Sequence, residues 1–278
     1  MTLDLADQSN RAKTFVTLHE AGTFIVPNPW DAGTAALFTG LGFPALATTS
    51  GGLAFGLGRA DGANLVTRDE TLANIRAIVA ATPLPVSADL ESGFGTTPDE
   101  VAETIRLAAA TGAVGGSIED ATGDPAAPIL ALDVAVDRVR AAVSAARSLP
   151  FPFTLTARAE NFLYGRPDLE DTVTRLRAYE QAGADVLYAP GLPDLDAVAT
   201  VCAAVERPVN ALAGSSTAVT VTQLAAAGVR RISLGSSLAR VALSATLSAA
   251  REVTEGGSFG FAADTLTYAE INRLMGAP

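Results

Sequence analysis

Eight short apolar runs, most carrying β-branched residues, recur along this chain, and each is followed by a longer stretch of Ala- and Leu-rich helical periodicity. The runs are Thr23–Pro27, Pro44–Thr49, Pro85–Leu90, Gly115–Glu119, Phe153–Ala157, Asp185–Ala189, Pro208–Leu212 and Arg231–Leu234. The stretches between them, such as Pro98–Thr111 and Asp168–Ala182, open on acid or proline and often close on glycine before the next run. Parallel strands need crossover helices between them, so this alternation predicts an α/β chain with a buried parallel sheet. Eight units of about 30 residues match a (β/α)8 TIM barrel. A doubly wound open sheet is the competing fold and usually has fewer strands. The units do not resemble one another in sequence, and no low-complexity linker divides residues 1–278, so one barrel domain is expected. From about residue 256 an extension follows: a loop over Gly256–Phe261, then one extra C-terminal helix over Thr265–Met275, an appendage suited to packing on a neighbouring subunit.

The composition removes several kinds of chemistry. The chain has 278 residues and a net charge of −11, which disfavours nucleic-acid and anionic-membrane partners. Half of the residues are hydrophobic, enough for a sizeable core, yet no apolar run is long enough to span a bilayer. The N-terminus lacks a signal pattern, so a cytoplasmic location is expected. Lysine, histidine and cysteine each occur once, as Lys13, His19 and Cys202. That excludes an intrachain disulfide and multi-Cys or multi-His metal sites, and Lys13 lies in no Schiff-base or Walker context. His19 falls in an expected first helix, where a solvated or capping role suits it better than catalysis. Catalysis must then rest on carboxylates, arginine, hydroxyls, backbone amides and a hard cation.

In such a barrel the active site lies at the C-terminal ends of the strands. Asp89 and Glu91 are two apart, which on a strand places both on one face, and Glu119 ends the neighbouring strand. Three converging carboxylates repel unless protonated or neutralised, and an oxygen-only set favours Mg²⁺ or Mn²⁺. The alternative is that each acid pairs with arginine or caps a helix. Arg158 ends an apolar strand with its guanidinium aimed at the mouth, suited to a substrate carboxylate or to a salt bridge with Glu160 or Glu119. Ser50-Gly51-Gly52 offers consecutive backbone N–H groups that could cradle a carboxylate or an enolate oxygen, or form a plain turn. Asp61 could be a mouth acid or a turn aspartate; spacing does not separate these. Asn210 lies on the seventh strand. Ala213–Ser216 and Gly235–Ser237 could hold phosphate or form tight turns.

Together these residues resemble the isocitrate lyase/phosphoenolpyruvate mutase superfamily over roughly Phe24 to Leu238. Ala88–Gly95 (ADLESGFG) is similar to its D-A-D-T-G-Y/F-G signature, Ser117–Asp120 to its H/L-x-E-D segment, and Thr156–Arg158 to its T/V-A-R segment; Asn28–Asp31 and the SGG turn also fit. The resemblance implies a barrel whose eighth helix is exchanged between subunits, usually in a dimer of dimers. It implies Mg²⁺ near Asp89, Glu91 and Glu119 with Asp61 close by, and a small 2-oxo acid or its enolate bound to that metal. Ser50, Gly51, Gly52, Asp89 and Arg158 would bind the acid, with Asn210 nearby, and Arg158, Asp61 and Glu119 would carry the chemistry. Four departures bear on substrate. Glu91 replaces an aspartate. The stretch Ala121–Pro128 lacks the Cys, Lys and His of the lyases' mobile loop. It also lacks the loop lysine and asparagine of the phosphonate enzymes. Ser117 stands where methylisocitrate lyases have histidine. The implied activity is a Mg²⁺-dependent carbon–carbon lyase or decarboxylase working through a metal-bound enolate. The alternatives are a phosphonopyruvate mutase or hydrolase, or a non-catalytic 2-oxo acid binder. Tyr164, Tyr188, water or a carboxylate could donate the proton.

Overall fold

The computed structural model describes residues 4–214 and 219–276. Its strands are β1 (Phe24–Val26), β2 (Leu46–Ala47), β3 (Val86–Asp89), β4 (Gly115–Glu119), β5 (Thr154–Arg158), β6 (Val186–Tyr188), β7 (Val209–Leu212) and β8 (Arg231–Ser233). All pair in parallel, in the order β1-β8-β7-β6-β5-β4-β3-β2. The seam between β1 and β2 is closed just beyond the strands. The Ala47 N–H donates to the Pro27 carbonyl at 3.1 Å. The Asn28 side chain donates from Nδ2 to the Thr48 carbonyl at 3.0 Å, while its Oδ1 accepts from the N–H groups of Leu234 and Gly235 at 2.8 and 2.9 Å. One buried amide thus staples the ends of three strands and completes the (β/α)8 ring.

All eight sequence-expected strands are present; most are shorter than expected, β2 keeping only Leu46–Ala47, while β5 begins at Thr154 and runs on to Arg158. The helices are α1 (Leu5–Leu18), α2 (Ala32–Gly40), α3 (Ser50–Gly56), α4 (Arg68–Ala80), α5 (Pro98–Ala110), α6 (Leu132–Arg147), α7 (Leu169–Gln181), α8 (Leu195–Ala204), α9 (Val221–Ala226), α10 (Ser237–Arg251) and α11 (Tyr268–Met275). Their starts follow local chemistry. Thr67 and Glu70 form a capping box on α4, and Thr97 and Glu100 do the same on α5, where Pro98 takes the first turn. Ser50-Gly51-Gly52, expected as a cradle or a plain turn, is the first turn of α3, capped by the Thr49 hydroxyl.

Helix α1 plugs the bottom of the barrel. Gln8 donates to the Ala109 and Ala113 carbonyls, and Phe15 is fully buried against Phe24 and His19. His19 caps α1 but is buried, not solvated; its Nδ1 lies 2.7 Å from the Phe15 carbonyl. At the other end of the chain, α10 leaves the barrel: Ala239 is its buried residue, and Val241, Leu243 and Leu247 face solvent. The extension follows with a 3-10 turn (Gly260–Asp264), then α11, which lies against α2 of its own chain. Among the described residues, no helix is long and apolar enough to cross a membrane.

Candidate active site

Register places the chemistry at one end. Asp89 closes β3 and pairs with Ser117. Glu119 closes β4 and pairs with Arg158 at the end of β5, which in turn pairs with Tyr188 at the end of β6. A cavity of about 160 Å³ opens among these ends. Of the sequence-expected residues, Ser50, Gly51, Asp61, Asp89, Arg158 and Asn210 line it. Gly52, Glu91 and Glu119 are not part of its wall.

Arg158 is the hub. Its Nη1 donates to Asp89 Oδ1 at 3.0 Å, its Nη2 lies 3.2 Å from Glu119 Oε2, and its Nε donates to Glu160 Oε1 at 2.8 Å. Its guanidinium also sits 5.2 Å from the centre of the Tyr188 ring. All three nitrogens are engaged, yet each Nη keeps a second hydrogen for a ligand. Burial pushes the Glu119 and Glu160 carboxyls upward, and Arg158 is the main force pulling them back. The arginine–acid pairing weighed from sequence is therefore present for Asp89, Glu119 and Glu160.

Glu160 is itself held from behind. Its N–H donates to Asp120 Oδ1 at 2.8 Å, and Asp120, 2 % exposed, accepts from Tyr179 at 2.6 Å and Arg175 at 3.1 Å. Asp120 thus faces away from the cavity and positions the strand end that carries Arg158.

The strand geometry expected for Asp89 and Glu91 does not hold. β3 ends at Asp89, and Glu91 has a left-handed backbone (φ +47°) in a turn closed by the Gly93 N–H on the Leu90 carbonyl. The two acids meet through this turn, not through period-two alternation. Burial first, then the charges of Asp89 and Asp61, raise the Glu91 carboxyl to about 7. Asp61, on the loop after α3, is raised by burial and by Asp89. The SGG segment is tightly fitted: a Cβ on Gly51 would lie 2.8 Å from Asp61 Oδ2, and one on Gly52 would lie 2.7 Å from the Trp30 Cβ. The Ser50 N–H donates to Asp89 Oδ2 at 3.0 Å and that of Gly52 to the Thr49 hydroxyl. Of the three N–H groups, those bonds leave that of Gly51 for a ligand.

Asp61, Asp89, Glu91, Glu119 and Glu160 share one guanidinium, a surplus of acid, and burial followed by the charge of Asp89 keeps the Asp61 and Glu91 carboxyls raised despite Arg158. In donor chemistry this surplus fits a hard divalent cation. Among the described residues, no group of three or more His, Cys, Asp and Glu side chains already stands in a ligand arrangement.

The stretch after β4 folds on itself. Ala121 bridges Ile129, the Thr122 N–H donates to the Pro128 carbonyl, and Gly123 abuts Asn64 on the Asp61 loop. In the Ala213–Ser216 segment, Ser215 and Ser216 lie outside the described residues. Two further residues line the wall: Tyr188, weighed from sequence only as a proton donor, and Arg231, which had carried no role. Tyr188 is buried, and burial pushes its hydroxyl to about 12. Arg231 is 4 % exposed and reaches Asn210 and Thr156. The signal for Arg231 lay in Arg230-Arg231-Ile232-Ser233: burying Ile232 outward turns Arg231 and Ser233 inward.

Comparison with known proteins places this geometry. The family model described as phosphoenolpyruvate phosphomutase matches residues 15–254. A 2-methylisocitrate lyase from Salmonella typhimurium is 36 % identical over 172 residues, 59 % of this chain and 57 % of its own. An oxaloacetate decarboxylase from Bradyrhizobium diazoefficiens is 30 % identical over 212 residues, 74 % of this chain and 71 % of its own. Among solved structures, a Burkholderia cenocepacia J2315 protein described as a candidate lyase/mutase superposes with a TM-score of 0.95 at 55 % identity, covering 98 % of both chains.

Proposed function

The chain belongs to the phosphoenolpyruvate phosphomutase family, and from that premise we propose that it is a carbon–carbon lyase acting on a small 2-oxo or 2-hydroxy carboxylic acid. The observation that carries the reading is the meeting in one cavity of Arg158, Asp89 and the Gly51 N–H, with the protonated Tyr188 hydroxyl beside them. The second hydrogens of the two Arg158 Nη atoms would take the substrate carboxylate. The Gly51 N–H would face the oxygen on which charge develops. In a 2-oxo acid with a carboxylate on C3, the bond to that carboxylate breaks, carbon dioxide leaves, the electron pair moves into the oxo group as an enolate, and C3 is then protonated; in a 2-hydroxy acid the hydroxyl proton would pass to a neighbouring carboxylate, the hydroxyl carbon would leave as an oxo acid, and the pair would form the enolate of the other fragment before its protonation. Tyr188, held protonated by burial, is the donor that the wall offers.

Asp89 and Glu91, flanked by Asp61 and Glu119, would hold Mg²⁺ or Mn²⁺, which when bound supplies positive charge against the developing oxyanion. Support for oxo-acid lyase chemistry over phosphonate chemistry comes from the loop 121–128, which carries neither lysine nor asparagine. The exposed Val241, Leu243 and Leu247 of α10 support a second copy covering that helix, in a homo-oligomer built as a dimer of dimers.

The test is turnover of a panel of 2-oxo and 2-hydroxy acids, with phosphonopyruvate included, by the purified protein with Mg²⁺, followed by carbon and phosphorus NMR. Carbon–carbon cleavage of at least one acid with phosphonopyruvate unchanged is expected. Conversion of phosphonopyruvate, or tight binding of acids without any turnover, would overturn the reading.

A further inference from the structure

Below the acidic rim the cavity has a basic floor. Arg231 opens β8, and Ile232 packs outward with Val198, Leu224 and Val229, so the arginine points into the barrel. Its Nε donates to Asn210 Oδ1 at 2.8 Å and its Nη2 to Thr156 Oγ1 at 2.9 Å. Both acceptors are neutral. Nη1 is buried and has no acceptor among the described residues. Arg158 and its three carboxylates stand above, so the rim's acids are already paired with a closer guanidinium. The other titratable groups that face Arg231 are Tyr188 and His19. Burial keeps the Tyr188 hydroxyl protonated, near 12, and burial together with the charge of Arg231 keeps His19 neutral, near 3. Neither supplies a counter-charge at neutral pH. Burial, with a smaller push from Arg158, brings the Arg231 guanidinium down to about 10, so it remains a cation there.

A desolvated cation with an unfilled donor, lining the cavity that also holds Arg158, is matched by a small anion. We propose that Arg231 is a specificity-determining residue that receives the second carboxylate of a dicarboxylic 2-oxo or 2-hydroxy acid, while Arg158 receives the first. This rests on the reading of the cavity as an oxo-acid site and adds which acids it prefers. A carboxylate fits better than a spherical halide because it can accept from Nη1 and still reach the Asn210 amide. Asn210, whose Nδ2 donates to Ser233 at 2.9 Å, is then a positioning residue, and Arg231 fixes which end of that amide meets the ligand.

The experiment is calorimetry on the full chain with malate and lactate, 2-hydroxy acids that differ by one carboxylate. The wild-type protein is expected to bind malate roughly 10- to 150-fold tighter, the span of one charge-assisted hydrogen bond. In Arg231→Met and Arg231→Gln that ratio should fall to about one, with lactate affinity unchanged; a purely structural arginine would lower the melting temperature and leave the ratio alone. Should these variants fail to fold, Arg231→Lys and the wild-type ratio decide. Equal binding of malate and lactate by the wild type, or a preference that survives in the variants, overturns the assignment while leaving the oxo-acid site intact. So does stabilisation of the wild type alone by chloride without any diacid preference, which would make the floor a halide site. If the wild type binds neither acid and turns over none of the panel, it is the reading of the cavity itself that fails, and the assignment with it.

Discussion

Replacing Arg158 by methionine keeps an apolar stem of the side chain but removes the charge shared by Asp89, Glu119 and Glu160. The three contacts are 3.0, 3.2 and 2.8 Å, and the three carboxylates are 13 %, 13 % and 2 % exposed. Removing one partner of a buried ion pair costs about 3–5 kcal/mol, because the other charge stays buried and uncompensated. The orphaned acids can escape only by taking up protons. Glu119 and Glu160 are already raised by burial, and without Arg158 they rise further. The sign follows from proton counting. An acid whose folded-state pKa lies above its unfolded value stabilises the fold below the unfolded pKa, and that stability is lost as pH climbs through the folded pKa. Each such proton tilts the stability curve by about 1.4 kcal/mol per pH unit, so two acids give up to about 2.7 kcal/mol per unit. Urea unfolding at pH 5, 6.5 and 8 reads this directly. The variant should lie about 3–5 kcal/mol below wild type at pH 8 and recover most of the difference by pH 5. A deficit that is constant with pH, or smaller than about 1 kcal/mol at pH 8, would refute Arg158 as the shared counter-charge.

Other outcomes follow from the same contacts. His19 is buried with its pKa depressed to about 3, whereas the unfolded chain titrates near 6.5, so stability falls as pH drops through that window, by up to roughly 4–5 kcal/mol; His19→Phe should flatten the acid limb of the urea-unfolding profile. Gly52→Ala places a methyl 2.6 Å from the Thr49 Cγ2 and 2.7 Å from the Trp30 Cβ, and should cost about 1–3 kcal/mol in thermal or urea unfolding. Chelation of divalent cations should abolish turnover, with Mg²⁺ or Mn²⁺ restoring it, and in Asp89→Ala neither ion should do so; undiminished activity after chelation would remove the cation from the reading.

The barrel was legible because its signals are local. Apolar runs of four to six residues, glycine stops and capping threonines each act within a few positions, and their eightfold recurrence leaves few topologies to consider. The strand ends that carry Asp89, Glu119 and Arg158 were legible for the same reason. What the sequence could not show were arrangements that depend on a single backbone torsion or on non-local register. Glu91 was placed by strand alternation, yet its left-handed turn decides where the carboxyl goes. Ser50-Gly51-Gly52 left open a cradle or a turn; as the start of α3, two of its three N–H groups have acceptors within the protein. Arg231 was passed over as a site residue because an arginine at the start of a strand usually faces water, and its alternation with Ile232 shows only the face, not the cavity. Only the inward register shared with Ser233 brings it under the cavity.

Those non-local arrangements give the mouth its polarity. Around Arg158 stand five carboxylates, of which Asp61 and Asp89 reach the cavity wall, whereas the Arg231 guanidinium on the floor has no carboxylate partner. A neutral ligand would gain little at either level. A monoanion could satisfy Arg158 or Arg231, but not both. On the proposal that Arg158 and Arg231 each take one carboxylate, a short dianion would span them in the cavity that Tyr188 and Gly51 also line. The loop 121–129, closed into its own hairpin, carries no lysine, histidine or cysteine to engage a departing fragment. On the proposed reading the burden of orientation would fall on the two arginines, and a fragment that departs without assistance, such as carbon dioxide, would suit this cavity better than one that must be protonated as it leaves.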